Sequence, residues 1–230
     1  MARPATTKPH YVGHRQRLRE RFLKGGPEGI PDYELLELVL FLAQPRGDLK
    51  PLAKSLIDEF KTFSAVISAE PAALKAVTGV GEAVVAALKT VEAAAHRLAQ
   101  GQVRDRSVIS SWERLLAYCQ ATLAHKRTEE FHLLFLDSKN VLIVDERQQR
   151  GTVDHAPVYP REVAKRALEL GASAIIMVHN HPSGDPTPSK SDIEMTREVK
   201  RAIEPLGIQL HDHLIIGSRG HSSFRALGVL

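Results

Sequence analysis

The stretch Ala174-Ile175-Ile176-Met177-Val178-His179-Asn180-His181-Pro182-Ser183-Gly184 decides the fold. Its first five residues are apolar without a break, which predicts a strand buried on both faces. Such a strand needs covering layers, and the sequence on either side supplies them. Tyr159-Pro160 starts a helix that ends at Gly171. After the strand, a loop from His179 to Pro188 leads into a second helix, from Ser189 to about Ile203, and Gly207 precedes a last strand, Ile208 to Ile216. Upstream, Phe131 to Leu136 and Val141 to Val144 are short apolar runs separated by Asp137-Ser138-Lys139-Asn140, the pattern of a hairpin. Ser110-Ser111-Trp112-Glu113 has capping-box spacing and predicts a helix reaching about Ala124. The order β-β-α-β-α-β points to a mixed sheet with helices packed against it, an α+β arrangement.

The first hundred residues read differently. Asp32 can cap a helix carrying Leu35, Leu36, Leu38, Val39, Leu40 and Leu42, and Lys50-Pro51 precedes another with Leu52, Ala53, Leu56 and Ile57. A short helix is predicted from Pro71 to Val77, then Thr78-Gly79-Val80-Gly81, then a long Ala-rich helix from Glu82 to about Ala99. No alternation of β-branched residues suggests a strand here. Residues up to about Pro27 read as a flexible basic arm with at most one helical turn. The polar segment Gly101 to Ser107 is the expected boundary, giving a helical domain over residues 1–103 and a sheet-containing domain over residues 108–230.

Composition narrows the function classes. The 230 residues are 43% hydrophobic and 25% charged, which is ordinary for a globular chain able to bury a core unaided. No apolar run approaches a membrane span, and the basic, polar start has no signal segment. Cys119 is the single cysteine, which excludes an intrachain disulfide and a cysteine-rich zinc site, and suits a reducing cytoplasm. The net charge of +4 lies in the first half, which holds sixteen basic and twelve acidic residues up to Ser107 against fifteen of each afterwards. Lys8, Arg15, Arg17, Arg19, Arg21 and Lys24 concentrate it, a pattern that favours polyanions or serves as a solvated tail.

The chemistry gathers where the buried strand gives out. His179 and His181 are two residues apart, so in extended backbone they point the same way. Sites in open sheets lie at the carboxyl ends of strands. Asp192 falls in the first turn of the following helix, where a carboxylate also gains from the helix dipole. Two imidazoles and a carboxylate make three protein ligands for a zinc ion, which leaves a fourth position for water. Ser189-x-x-Asp192 is at the same time a capping box, and the two readings are compatible, since the cap would aim Asp192.

His-x-His, seven residues, then Ser-x-x-Asp resembles the JAMM (MPN+) metalloprotease signature. With Asp212-His213-Leu214-Ile215-Ile216-Gly217 downstream, the chain is similar to one bacterial branch, the RadC family, named for DNA repair. The resemblance covers nearly the whole chain. It implies a zinc-dependent hydrolase of a peptide or isopeptide bond, with His179, His181 and Asp192 as ligands and one zinc ion per chain. It also implies a general base at the start of an early strand. The family pattern selects Glu129, two residues before Phe131, with Glu130 the adjacent alternative, and gives the Ser189 hydroxyl to the oxyanion. Asn180 departs from the deubiquitinating branch, which has Ser or Thr there, so ubiquitin-like substrates do not follow. His213 and Asp212 are candidates to orient the ligands or to serve as strand-end structure. Gly79-Val80-Gly81 between two helices looks like a helix-hairpin-helix element, which would hold a DNA backbone.

Rival classes are a DNA-binding repair accessory with a structural or silent metal site, and a metal-dependent nuclease. A zinc nucleoside deaminase needs a Cys-x-x-Cys pair that one cysteine cannot supply. No Gly-x-Ser-x-Gly elbow supports a serine nucleophile.

Overall fold

The computed structural model describes residues 13–103, 107–150 and 158–230. Contacts divide the chain into two compact units, one up to Ala93 and one from Ala94 onward. Lys8 and part of the expected boundary segment lie outside the described residues.

The first unit is helical. Its elements are α1 (His14–Gly25), α2 (Asp32–Ala43), α3 (Lys50–Phe60), α4 (Phe63–Ser68), α5 (Pro71–Lys75) and the opening of α6 (Glu82–Val103). Leu36 and Leu40 of α2, Leu56 of α3, Val66 of α4, Leu74 of α5 and Val84 and Leu88 of α6 are all fully buried in one apolar cluster. Three expectations change here. The basic arm is a full helix from His14 onward rather than a single turn, because its polar residues find partners on α2. His14 Nε2 lies 2.9 Å from the buried Glu37, Arg21 pairs with Glu34, and the Arg15 guanidinium sits 4.4 Å above the Phe41 ring. Asp32 is not the cap of α2: Pro31 holds that position, and the Asp32 carboxylate accepts instead from the Phe63 amide at 2.9 Å, at the start of α4. α6 continues to Val103, past the expected end near Ala99.

The second unit contains the second half of α6, then α7 (Trp112–Leu123), β1 (Glu130–Leu136), β2 (Leu142–Arg150), α8 (Pro160–Glu169), β3 (Ala174–Asn180), α9 (Lys190–Ile203), β4 (Gln209–Gly217) and β5 (Gly220–Ser223). The sheet order is β2-β1-β3-β4-β5. β1 pairs antiparallel with β2 and β3, β3 pairs parallel with β4, and β4 pairs antiparallel with β5. The fold is α+β, with a helical N-terminal region and this mixed sheet.

β3 is central, and alternate residues feed two cores. Ala174, Ile176 and Val178 pack with Leu134, Leu136, Leu214 and Ile216 under α7. Ile175 and Met177 pack with Phe131, Leu133 and Phe135 under α8 and α9, through Val163, Ala167, Val199 and Ile203. The unbroken apolar run is therefore two interleaved faces, each covered by helix. β3 also extends through His179 and Asn180, which were expected in the loop, because His179 pairs with Phe131 on one side and Ile215 on the other. β5 was not expected. α7 begins as predicted, but Ser111 makes no side-chain cap, and the Ser110 and Ser111 hydroxyls donate to the Ser107 carbonyl at 2.9 Å. Among the described residues no helix is long and apolar enough to cross a membrane.

Two local features of this unit carry consequences. On the α7 side of β1, His132 Nδ1 donates to Asp145 at 2.8 Å, and its other nitrogen lies 3.7 Å from Glu130. Tyr118 of α7 donates to the same Asp145. Burial alone would lower the His132 pKa, but Asp145 and Glu130 outweigh it and push it up to about 9. A folded-state pKa above the unfolded value of about 6.5 gives stability that is complete below that value and lost as pH rises through about 9. Thermal unfolding of the full chain should therefore show a fall in midpoint between pH 7 and about 10 that is smaller in His132→Gln; equal slopes in both proteins would refute the assignment.

The second feature is where the loop after β3 meets the end of β4. A Cβ added to Gly217 would lie 2.4 Å from the Gly184 carbonyl oxygen, a backbone atom that cannot swing aside. Gly217→Ala should thus lower stability by about 1–3 kcal/mol, as overpacking does, read from denaturant midpoints. An unchanged midpoint would mean that the loop yields without strain.

Candidate metal centre

Three side chains converge at the carboxyl end of β3. His179 is the penultimate residue of the strand and is 1% exposed. The backbone turns after Asn180, and the His181 amide donates to the Ile216 carbonyl at 2.9 Å, which keeps the loop on the end of β4. Asp192 is the third residue of α9. Ser189 caps that helix, accepting from the Asp192 amide at 3.1 Å, while the Asp192 carboxylate accepts from the Ser189 amide at 2.7 Å. The expected capping box is thus formed, and it orients the carboxylate. His179 Nε2 is 3.1 Å from His181 Nε2 and 3.4 Å from Asp192 Oδ1, and His181 Nε2 is 3.5 Å from Asp192 Oδ2. Among the described residues this is the group of His, Cys, Asp and Glu side chains arranged so that it could hold a metal ion.

The surroundings decide which nitrogens face inward. His181 Nδ1 lies 2.8 Å from the Asp185 carbonyl, which only accepts, so Nδ1 carries the hydrogen and Nε2 faces Asp192. His179 is stacked on Phe131 with centroids 5.7 Å apart, and its Nδ1 meets His213 Nε2 at 2.8 Å. Electrostatics follow from burial and proximity. Burial lowers the His179 pKa to about 4, with Asp192 opposing and His181 adding to the fall. His181 is held above the ordinary imidazole value by its hydrogen bond with Asp192, against burial, with smaller help from the Asp185 carbonyl and Glu129. Burial works to raise the Asp192 carboxyl, but His181, His179 and Ser189 together hold it well below the usual range. His213 is pushed far down by burial and by the neighbouring imidazole of His179. The pocket thus combines a ring whose burial disfavours a proton, a carboxylate held ionised, and a second ring whose affinity for a proton that carboxylate raises. A cation would compete with protons for these groups.

The remaining expected residues fall into separate places. Glu129 is half-buried just before β1, near enough to His181 to act on its charge. Glu130 sits beyond it, its carboxylate facing His132 and Arg147 at 3.7 and 3.6 Å and held below its ordinary pKa chiefly by His132. Phe131 stacks on His179, so Glu130, one residue earlier, faces the other side of β1. The Ser189 hydroxyl donates to Asp192 Oδ2 at 2.6 Å. Asp212 turns away from the site and accepts from Ser223 and from the Arg225 amide, tying β5 to β4, whereas His213 touches His179. Gly79, Val80 and Gly81 lie in the first unit between α5 and α6, with Gly79 at φ 94°, a conformation that favours glycine.

Asn180 has a role that its position between two histidines does not reveal. Its Oδ1 accepts from the Glu130 amide at 2.8 Å, and its Nδ2 donates to the Lys126 and Thr128 carbonyls at 3.3 and 3.1 Å. One fully buried amide therefore clamps the segment carrying Glu129 to the strand carrying His179. A Ser or Thr side chain is too short to make all three bonds. Thr196, four residues after Asp192 on α9, was also missed. Its hydroxyl meets both the Asp192 carbonyl and His213.

Residues 109–229 match the family described as RadC-like JAB domain. A UPF0758 protein of Ruegeria pomeroyi, SPO0054, is 62% identical over 223 residues, which are 96% of this chain and 100% of that protein. A UPF0758 protein of Rhodobacter capsulatus is 64% identical over 213 residues, 93% of this chain and 100% of that protein. With more than half of its length matched and near-complete relatives at this identity, the chain belongs to the RadC-like JAB domain family.

Proposed function

We propose that the protein is a zinc-dependent metallopeptidase or isopeptidase that hydrolyses an amide bond with water. The observation that carries this reading is the convergence of three donor groups: the two imidazole Nε2 atoms are 3.1 Å apart, His179 Nε2 lies 3.4 Å from Asp192 Oδ1, and His181 Nε2 lies 3.5 Å from Asp192 Oδ2. Bonds of about 2.0–2.1 Å in a tetrahedron place neighbouring ligands about 3.3 Å apart. The donor set fits as well: two imidazoles and one carboxylate suit zinc and leave one position open. When bound, zinc supplies Lewis acidity, polarising a carbonyl and bringing the pKa of water to about 7.

The chain's own residues supply the rest. His179, His181 and Asp192 hold the ion, and the Ser189 cap keeps Asp192 aimed at it. Glu129 accepts the water proton at its carboxylate and returns it to the departing amine nitrogen. Glu130 is unsuited to that task, since His132 and Arg147 occupy it on the far side of β1. The Ser189 hydroxyl, whose proton rests on Asp192 Oδ2, is the donor that can turn to the carbonyl oxygen. Asn180 holds Glu129 in register with the ligands.

Nucleic-acid contact at Gly79, Val80 and Gly81 stays outside this proposal. Glu82 opens α6 beside that turn and pairs with Lys75 at 3.2 Å.

The test is metal analysis followed by activity. The purified full chain should hold one zinc per molecule and lose it in His181→Ala. Glu129→Gln should keep zinc and fold while hydrolysis of a peptide library falls roughly 10²–10⁴-fold. A folded chain without affinity for zinc, or full activity in Glu129→Gln, would refute the proposal.

A further inference from the structure

The buried contacts behind His179 form a directed chain of hydrogen bonds, and its direction can be worked out from one end. Thr196 Oγ1 lies 2.5 Å from the main-chain carbonyl oxygen of Asp192. Two oxygens that close repel unless a hydrogen lies between them, and the carbonyl has none to give. The hydroxyl proton of Thr196 is therefore committed to Asp192. His213 Nδ1, 2.6 Å from the same hydroxyl oxygen, must then be the donor in that contact. A neutral imidazole has one N–H, so His213 Nε2 is an acceptor, and the proton in its 2.8 Å contact belongs to His179 Nδ1. His179 Nε2 is left with its lone pair directed at His181 and Asp192.

We infer that Thr196 and His213 are positioning residues that set the tautomer of His179, so that its Nε2 is ready to bind a metal ion before any ion arrives. The inference rests on the zinc reading of the site, but the tautomer itself can be observed without zinc. The competing arrangement reverses every bond: Thr196 donates to His213, His213 donates to His179, and His179 Nε2 carries a hydrogen pointing at His181. It leaves the Thr196 and Asp192 oxygens facing each other at 2.5 Å with no hydrogen between them. The surroundings hold the relay in place. His213 is fully buried, with the Phe131 and Phe224 rings at 5.7 and 4.6 Å, and Thr196 is 2% exposed, so water cannot substitute for either contact. The relay starts from the main chain of Asp192, itself a ligand, so the same turn of α9 that presents the carboxylate also orients the opposite imidazole. Partners of this kind, one contact removed from a metal, alter affinity by 10–100-fold when removed.

The experiment uses the full chain labelled with ¹⁵N-histidine and freed of metal by a chelator. Long-range ¹H–¹⁵N correlation spectra at neutral pH should show the hydrogen on Nδ1 of both His213 and His179. Thr196→Val, which keeps the shape but removes the hydroxyl, should move part of the His179 population to the Nε2–H form and weaken zinc binding by about 10–100-fold. Thr196→Ser should restore both. An Nε2 hydrogen on His179 in the unmodified metal-free protein overturns the inference, as does unchanged zinc affinity in Thr196→Val. If Thr196→Val does not fold, the spectra of the unmodified protein and of Thr196→Ser decide. A chain that takes no zinc refutes the proposed function, while the metal-free spectra still decide the relay.

Discussion

Hydrogen bonding to β3 on both of its edges, with helices over both of its faces, is the constraint from which the rest of this unit follows. A strand paired with β1 and β4 and buried above and below cannot slip by one residue, because the slip would exchange its two faces. That locked alternation sends His179 to the α9 side with Met177 and Ile175, and Asn180 to the other. His179 then meets the residues that only this register brings to it: Phe131 from β1, His213 from β4, and Asp192 from α9. Asn180, pointing the opposite way, meets the backbone before β1. Consecutive residues thus serve the candidate metal centre from opposite faces, one through a potential donor atom and one through a clamp.

The two faces of β1 also explain how adjacent carboxylates acquire different chemistry. Glu130 lies in a cluster of fixed charge, where His132 and Tyr118 donate to Asp145 and the Glu130 carboxylate faces His132 and Arg147 at 3.7 and 3.6 Å. The cluster at the end of β3 is composed differently. It assembles acceptors, an imidazole kept neutral by burial and a carboxylate held ionised, beside a second imidazole. Buried acceptors without a matching positive charge are costly. The second cluster is therefore suited to an ion, and the first to stability. Glu129 stands on the edge of the second and Glu130 inside the first.

Much of this was legible in the order of residues. The continuous apolar run of β3, the short apolar run of β1, the turn residues between β1 and β2 and the capping box at Ser189 all act over a few residues, so spacing reveals them. The His-x-His pair and Asp192 were legible for the same reason, since strand and helix geometry place them at the two sides of one loop. Less was visible at the N-terminus. The helix over His14–Gly25 depends on Glu34, Glu37 and Phe41, which lie more than a dozen residues away, and its own composition looks like that of a solvated arm. β5 was invisible for a similar reason: Gly220–Ser223 carries no apolar signal and becomes a strand through pairing with β4 and the hold of Asp212 on Ser223 and Arg225.

The amino-acid sequence by itself determined the fold class, the family and the residue types able to hold a metal ion, because each depends on local periodicity and short spacing. Only the tertiary structure set Glu130 against His132 and Arg147, gave Asn180 its clamp and joined Thr196 to His213. Those facts depend on which faces of distant strands and helices meet, and sheet order and register decide that through contacts between residues up to about fifty positions apart.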